Sequence, residues 1–127
     1  MTTRIELPIP PSANRLYRNG RGGVGRYDTD VYKAWKAAAG WAILQQRVTA
    51  FPGPVRVEVT LSGGSDFAGM RDLDNCLKAS LDLLKNQGII VNDSVKWVKQ
   101  ISASYEERLN KTDCARCIVT ITTTEGE

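Results

Sequence analysis

The sequence predicts a single compact α+β domain over residues 1–127, with element order β-α-β-α-β-β and helices packed on a mixed sheet. Three observations predict it. A chain of 127 residues without an internal repeat or a linker-like stretch is the length of one domain. Short runs of alternating or β-branched residues recur as RIELPI, VRVEVTL and CIVTITT. Between them lie two longer stretches with apolar residues at helical spacing.

Arg4 to Ile9 reads as a short strand, ended by Pro8, Pro10 and Pro11. Residues 11–27 form an irregular segment rich in glycine and arginine, with no acid. A helix starts at Asp28 or Thr29, with Val31, Ala34, Trp35, Ala38, Trp41, Ala42 and Leu44 near one period. Phe51-Pro52-Gly53-Pro54 breaks it, and Val55 to Leu61 alternates as a half-buried strand. After a glycine-bearing loop, a second helix is expected over Asp74 to Gln87, with Leu77, Leu81 and Leu84 on one face and Gly88 as its cap. Ile89 to Val91 is a short apolar run. A strand is expected from about Val95 to Tyr105 and a last one over Cys117 to Thr123, with these two forming an antiparallel hairpin. Trp97 and one of Trp35 and Trp41 are expected in the core, the other at an interface.

Composition excludes several classes. An apolar fraction of 42% and a charged fraction of 24% argue against disorder or a fibrous repeat. No run approaches the ~20 apolar residues of a membrane span, so no membrane partner is expected. The first twelve residues lack a signal peptide's apolar run, which makes a cytoplasmic location the expectation. Net charge is +3, which permits nucleic acid as a partner without demanding it. The chain has no histidine, which excludes imidazole bases and His-ligated zinc. Hydrolysis would have to use carboxylates, lysines, hydroxyls, thiols or metal-held water. The three cysteines do not make a disulfide framework, and Cys114 and Cys117 lack the further ligands of a zinc site.

The most informative stretch is RDLDNCLKASLDLLKNQGIIVNDSV. Asp72 and Asp74 stand at a loop-to-helix junction, and Asp93 follows the helix and a tight return. If the three meet, their mutual repulsion calls for a cation. A hard divalent ion such as Mg2+ prefers such oxygen ligands and serves phosphoryl chemistry by orienting water and offsetting charge. Lys78, on the same helix face as Asp74, is placed to hold a phosphate. The residues alone leave simpler readings open. Asp74 suits a helix cap, Asp74 and Lys78 a helix ion pair, and Asp93 a turn beside Asn92.

The stretch from Arg71 to Val95 resembles the RusA family of Holliday-junction resolvases. The resemblance lies in Asp72-Leu73-Asp74-Asn75, then Lys78, the helical acid Asp82, Gly88 and Asp93. Pro10-Pro11-Ser12-Ala13-Asn14-Arg15 with Tyr17-Arg18 supports it, so that it covers most of the chain. It implies a RusA-like fold and catalytic, metal-holding carboxylates at Asp72, Asp74 and Asp93, with Lys78 as the basic partner. It also implies Mg2+, with Mn2+ able to substitute, and a homodimer that makes paired nicks across a four-way DNA junction. The products would carry 5′-phosphate and 3′-hydroxyl ends, in DNA recombination and repair of bacterial, phage or prophage origin. Asn92 stands where the family often has an acid, and Cys76 where it is often apolar.

The best nucleic-acid candidate is the arginine segment with its neighbours: Asn14, Arg15, Tyr17, Arg18, Arg21 and Arg26, extended by Lys33 and Lys36, with Arg71 beside Asp72. Arginines would hold phosphates, and Tyr17 and Tyr27 would stack on bases. A solvated arginine loop is the alternative. Two other functions stay open: a non-catalytic branched-DNA-binding protein of the same fold, and a metal-dependent phosphodiesterase for other substrates.

Overall fold

The computed structural model describes residues 1–11, 16–19, 25–63, 76–106 and 115–124, with Arg26 described for its backbone only. The elements are β1 (Thr2–Leu7), β2 (Tyr17–Asn19), β3 (Arg26–Asp28), α1 (Asp30–Gln46), β4 (Val55–Ser62), α2 (Leu77–Asn86), β5 (Val98–Glu106) and β6 (Arg116–Thr123). A four-stranded mixed sheet runs in the order β1-β6-β4-β5, and β2 and β3 form a separate hairpin. The mixed α+β architecture agrees with expectation; the strand order does not. The last two strands do not form a hairpin. β6 lies between β1 and β4, antiparallel to both, while β5 pairs with β4 in parallel.

Side-chain chemistry explains the order. In β6, Cys117, Ile118, Val119 and Ile121 are all buried, so this strand is served best by neighbours on both edges. β5 reads VKQISASYE, has no fully buried residue, and takes the sheet edge. The parallel pairing of β4 and β5 needs a crossover, which α2 supplies.

Alternate residues of β4 (Val55, Val57, Val59 and Leu61) face the core together with Val119 and Ile121 of β6 and Ile5 and Leu7 of β1. α1 adds Tyr32, Trp35, Ala39 and Ile43. Thr29 caps α1, its hydroxyl accepting from the Tyr32 amide at 3.2 Å. The apolar period read from the sequence selects the wrong face in part, because Val31, Trp41 and Leu44 are exposed. Trp35 is buried and donates its indole N–H to the Pro8 carbonyl at 2.9 Å.

α2 buries Ala79, Ser80, Leu83 and Leu84, with Leu77 and Leu81 on its flanks. Small Ala79 and Ser80 let the helix approach closely where leucine would not. Gly88 ends the helix turn at φ +73, as expected, with the Ile89 amide donating to the Leu84 carbonyl at 2.9 Å. Ile89 and Ile90 then plug the core. The strand expected from Val95 starts later, at Val98, because the Trp97 and Val98 amides both donate to the Ser94 carbonyl and close a turn. Trp97 is therefore a half-buried turn residue rather than a core strand residue. Among the described residues, no helix is long and apolar enough to cross a membrane.

Candidate nucleic-acid and cleavage site

The arginine segment contains structure that composition did not reveal. Tyr17 to Asn19 pairs with Arg26 to Asp28 as a short antiparallel hairpin. Its base is fixed to the domain: Leu16 is fully buried, and its carbonyl accepts from the Thr29 amide at 2.9 Å. Arg18 and Tyr27 are exposed on this hairpin, and Lys33 is exposed on the first turn of α1. Lys36 is ion-paired with Asp28 across the hairpin's end and also lies over the Tyr32 ring at 4.5 Å. Its charge is thus partly neutralised within the chain. Asn14, Arg15, Arg21, Arg71, Asp72 and Asp74, together with the Arg26 side chain, lie outside the described residues.

Tyr17 is turned inward. Its ring meets Tyr32 edge-on, with centroids 5.8 Å apart, and its hydroxyl donates to Asp82 Oδ2 at 3.4 Å. Asp82 sits one helical turn after Lys78, whose ammonium lies 3.6 Å from the same carboxylate oxygen and 5.8 Å from the Tyr17 ring centroid. The hairpin and the helix carrying Lys78 therefore meet at one carboxylate. The Tyr32 phenol is held well above the ordinary tyrosine range, chiefly by burial, then by the charge of Asp82. The Lys78–Asp82 spacing was readable in the sequence as a helix pair. The third partner, Tyr17, was not, since it comes from 65 residues away.

Asp93 is exposed in the turn before β5, with the Lys85 ammonium 4.0 Å from its carboxylate. Its amide donates to Asn92 Oδ1 at 2.7 Å, which is the turn arrangement weighed for this pair. Lys78 and Lys85 are seven residues apart, about 10 Å along α2. Asp93 thus pairs with a lysine of the last turn of α2, two turns beyond Lys78. Among the described residues, no group of three acids or cysteines is close enough to hold a metal. Asp93 itself offers a hard oxygen donor, with 36% of its side chain exposed.

Cys76 and Cys117 are buried thiols, in no disulfide. Burial pushes the Cys117 thiol up to about 12, only partly offset by its contact with Ser80. Such a thiol is inert, as expected of a core residue.

A family model described as Endodeoxyribonuclease RusA matches residues 8–122. The chain belongs to the RusA family. It is also similar to a protein of Enterobacteria phage 82 named Crossover junction endodeoxyribonuclease rusA, 33% identical over 94 residues, which cover 73% of this chain and 75% of the phage protein. The RusA-family match includes the hairpin, α1, α2 and every residue named above as a cleavage or DNA-contact candidate.

Proposed function

We propose that this RusA-family chain is a metal-dependent endonuclease that resolves four-way DNA junctions by paired, symmetric nicks. The products carry 5′-phosphate and 3′-hydroxyl ends. The observation that carries the reading is the direct docking of the arginine-bearing hairpin onto the helix that presents Lys78. The hairpin that carries Arg18 thereby adjoins the helix that carries an exposed ammonium, the group a phosphodiester needs as charge builds on it. Asp72, Asp74 and Asp93 would hold Mg2+ or Mn2+, whose role is to supply positive charge and an oriented water. The all-oxygen donor set suits those ions. Lys78 steadies the phosphate, and the hairpin fixes the DNA backbone.

Two symmetric nicks call for a two-fold dimer. The exposed face of α1 suits a contact between two copies: Val31, Trp41 and Leu44 are 44%, 64% and 65% exposed and lie along one side with Ala34 and Ala38. Tryptophan at such a position is typical of interfaces.

The test is a labelled four-way junction incubated with Mg2+, Mn2+, Ca2+ or EDTA, with linear duplex as control. Symmetric nicks are expected with Mg2+ or Mn2+ alone and on the junction alone. Full activity in EDTA overturns the metal mechanism, and efficient cutting of duplex overturns the junction assignment. Binding without cleavage in every metal favours the non-catalytic alternative. Arg18→Ala is expected to weaken binding to all branched DNA and to flatten its salt dependence by about one counterion.

A further inference from the structure

We infer that Asp82 and Tyr17 are positioning residues that fix the Lys78 ammonium relative to the DNA-contacting hairpin, an inference that builds on the reading of Lys78 as a participant in cleavage. A lysine side chain is a flexible stem, and ordering it costs conformational entropy. On an open helix face an i,i+4 carboxylate restrains it only weakly. Asp82 differs from such a surface partner. Its side chain is 18% exposed, against 51% for Lys78, and its Oδ2 takes both the ammonium and the Tyr17 hydroxyl.

Tyr17 is in turn held by rigid groups. Its ring abuts Tyr32 at an interplanar angle of 88°, and Tyr32 stacks on Trp35 with centroids 6.3 Å apart. Trp35 is tied to the Pro8 carbonyl. Planar rings with few rotatable bonds lose little entropy on fixing, so the carboxylate is anchored from the β1 side of the domain rather than by α2 alone. The ammonium also lies over the Tyr17 ring. Tyr17 is the first residue of β2 and Arg18 the second, so one strand carries both the tether to Lys78 and a phosphate-binding arginine. The position of the ammonium relative to the hairpin is thereby set before DNA arrives, which is the preorganisation that makes an electrostatic contact effective.

The experiment compares Asp82→Asn, Tyr17→Phe and Lys78→Gln, singly and as the Asp82→Asn/Lys78→Gln double variant. Single-turnover junction cleavage in Mg2+ and junction affinity in Ca2+ are both measured. Asp82→Asn is expected to slow cleavage about tenfold with affinity within about twofold, since misplacement of a reacting group acts on rate rather than binding. Tyr17→Phe should fall in the same direction by less, because the carboxylate stays but loses its anchor. In the Lys78→Gln background, Asp82→Asn should cost nothing further, the non-additivity of residues acting as one unit.

A second readout needs no DNA. Acylation of lysines by an amine-reactive ester, mapped by mass spectrometry on the folded protein, should label Lys78 severalfold faster in Asp82→Asn than in the wild type. Lys33, on another helix, serves as the internal reference. Unchanged Lys78 labelling in both Asp82→Asn and Tyr17→Phe overturns the inference, as does an undiminished Asp82→Asn effect in the Lys78→Gln background. Cleavage unaffected by Lys78→Gln overturns the underlying reading instead, and the labelling result then still decides whether Asp82 fixes the lysine.

Discussion

Replacing Lys78 by glutamine separates chemistry from structure. In the folded chain the lysine side chain is 51% exposed and makes an i,i+4 ion pair with Asp82 at 3.6 Å. Such a pair stabilises a helix by about 0.3–0.5 kcal/mol, less after solvent screening. Its position over the Tyr17 ring, 5.8 Å from the centroid, adds about 0.5 kcal/mol. Glutamine keeps the stem and the helix propensity, so the total loss stays below about 1 kcal/mol, or roughly 4 °C in melting temperature at most. Cleavage should respond on another scale. Removing one preorganised group from a developing charge costs about 10²–10³ in rate. The assays are thermal melting, junction affinity in Ca2+ and single-turnover cleavage in Mg2+. Melting within the stated range, near-wild-type affinity and a rate loss of at least about 100-fold are expected. A rate within about threefold of the wild type would remove Lys78 from the chemistry and refute the argument.

Three further outcomes follow from the fold. Stability should decline as pH rises above about 9: buried Cys117 keeps its proton to about 12, while the unfolded thiol ionises near its ordinary 9.0, so the unfolded state gains by about 1.4 kcal/mol per pH unit in that window. Urea denaturation across that range should show the slope, reduced in Cys117→Ala; a flat profile would contradict the burial argument. Gly88→Ala should cost about 1–2 kcal/mol through backbone strain alone, since φ is +73 and an added Cβ meets nothing within 4 Å; an unchanged urea midpoint would count against the cap. Trp41→Glu should convert a dimer of twice the 14.0 kDa chain mass to monomer in sedimentation, with the fold intact; a persistent dimer would move the interface elsewhere.

The local signals were legible, and the long-range ones were not. Thr29 before an apolar period, Gly88 after one, and the alternation of β4 each announce structure through contacts a few residues long. Strand order is a competition between distant segments. The deciding quantity was how many positions each strand must bury, with β6 buried at four and β5 at none, and counting these would have placed β5 at the edge. The meeting of Tyr17 with Asp82 also lay beyond local pattern, because it requires the path of the hairpin over α1 and onto α2. On the candidate site, the sequence motif named Lys78 and Asp93. Their ion-pair partners, Asp82 for Lys78 and Lys85 for Asp93, came only from the folded helix and the turn beyond it.

The misread face of α1 carries an argument of its own. A periodic apolar pattern reports that a helix face leaves water, and it is silent about whose core covers it. Within the chain, Tyr32, Trp35, Ala39 and Ile43 satisfy the domain's core, while Val31, Trp41 and Leu44 stay exposed on the other side of the same helix. A helix that served one core would carry charge there, as α2 does at Lys78 and Lys85. α1 instead carries Ala34, Ala37 and Ala38, small residues that let a second backbone come close. In the proposed two-fold dimer, two copies of this face would set Val31 against Trp41 at each end and the alanines at the crossing. Such a contact would be self-complementary, as an isologous interface must be. The residues that blurred the reading of one chain are therefore those that the proposed dimer would bury, and Trp41→Glu tests them directly.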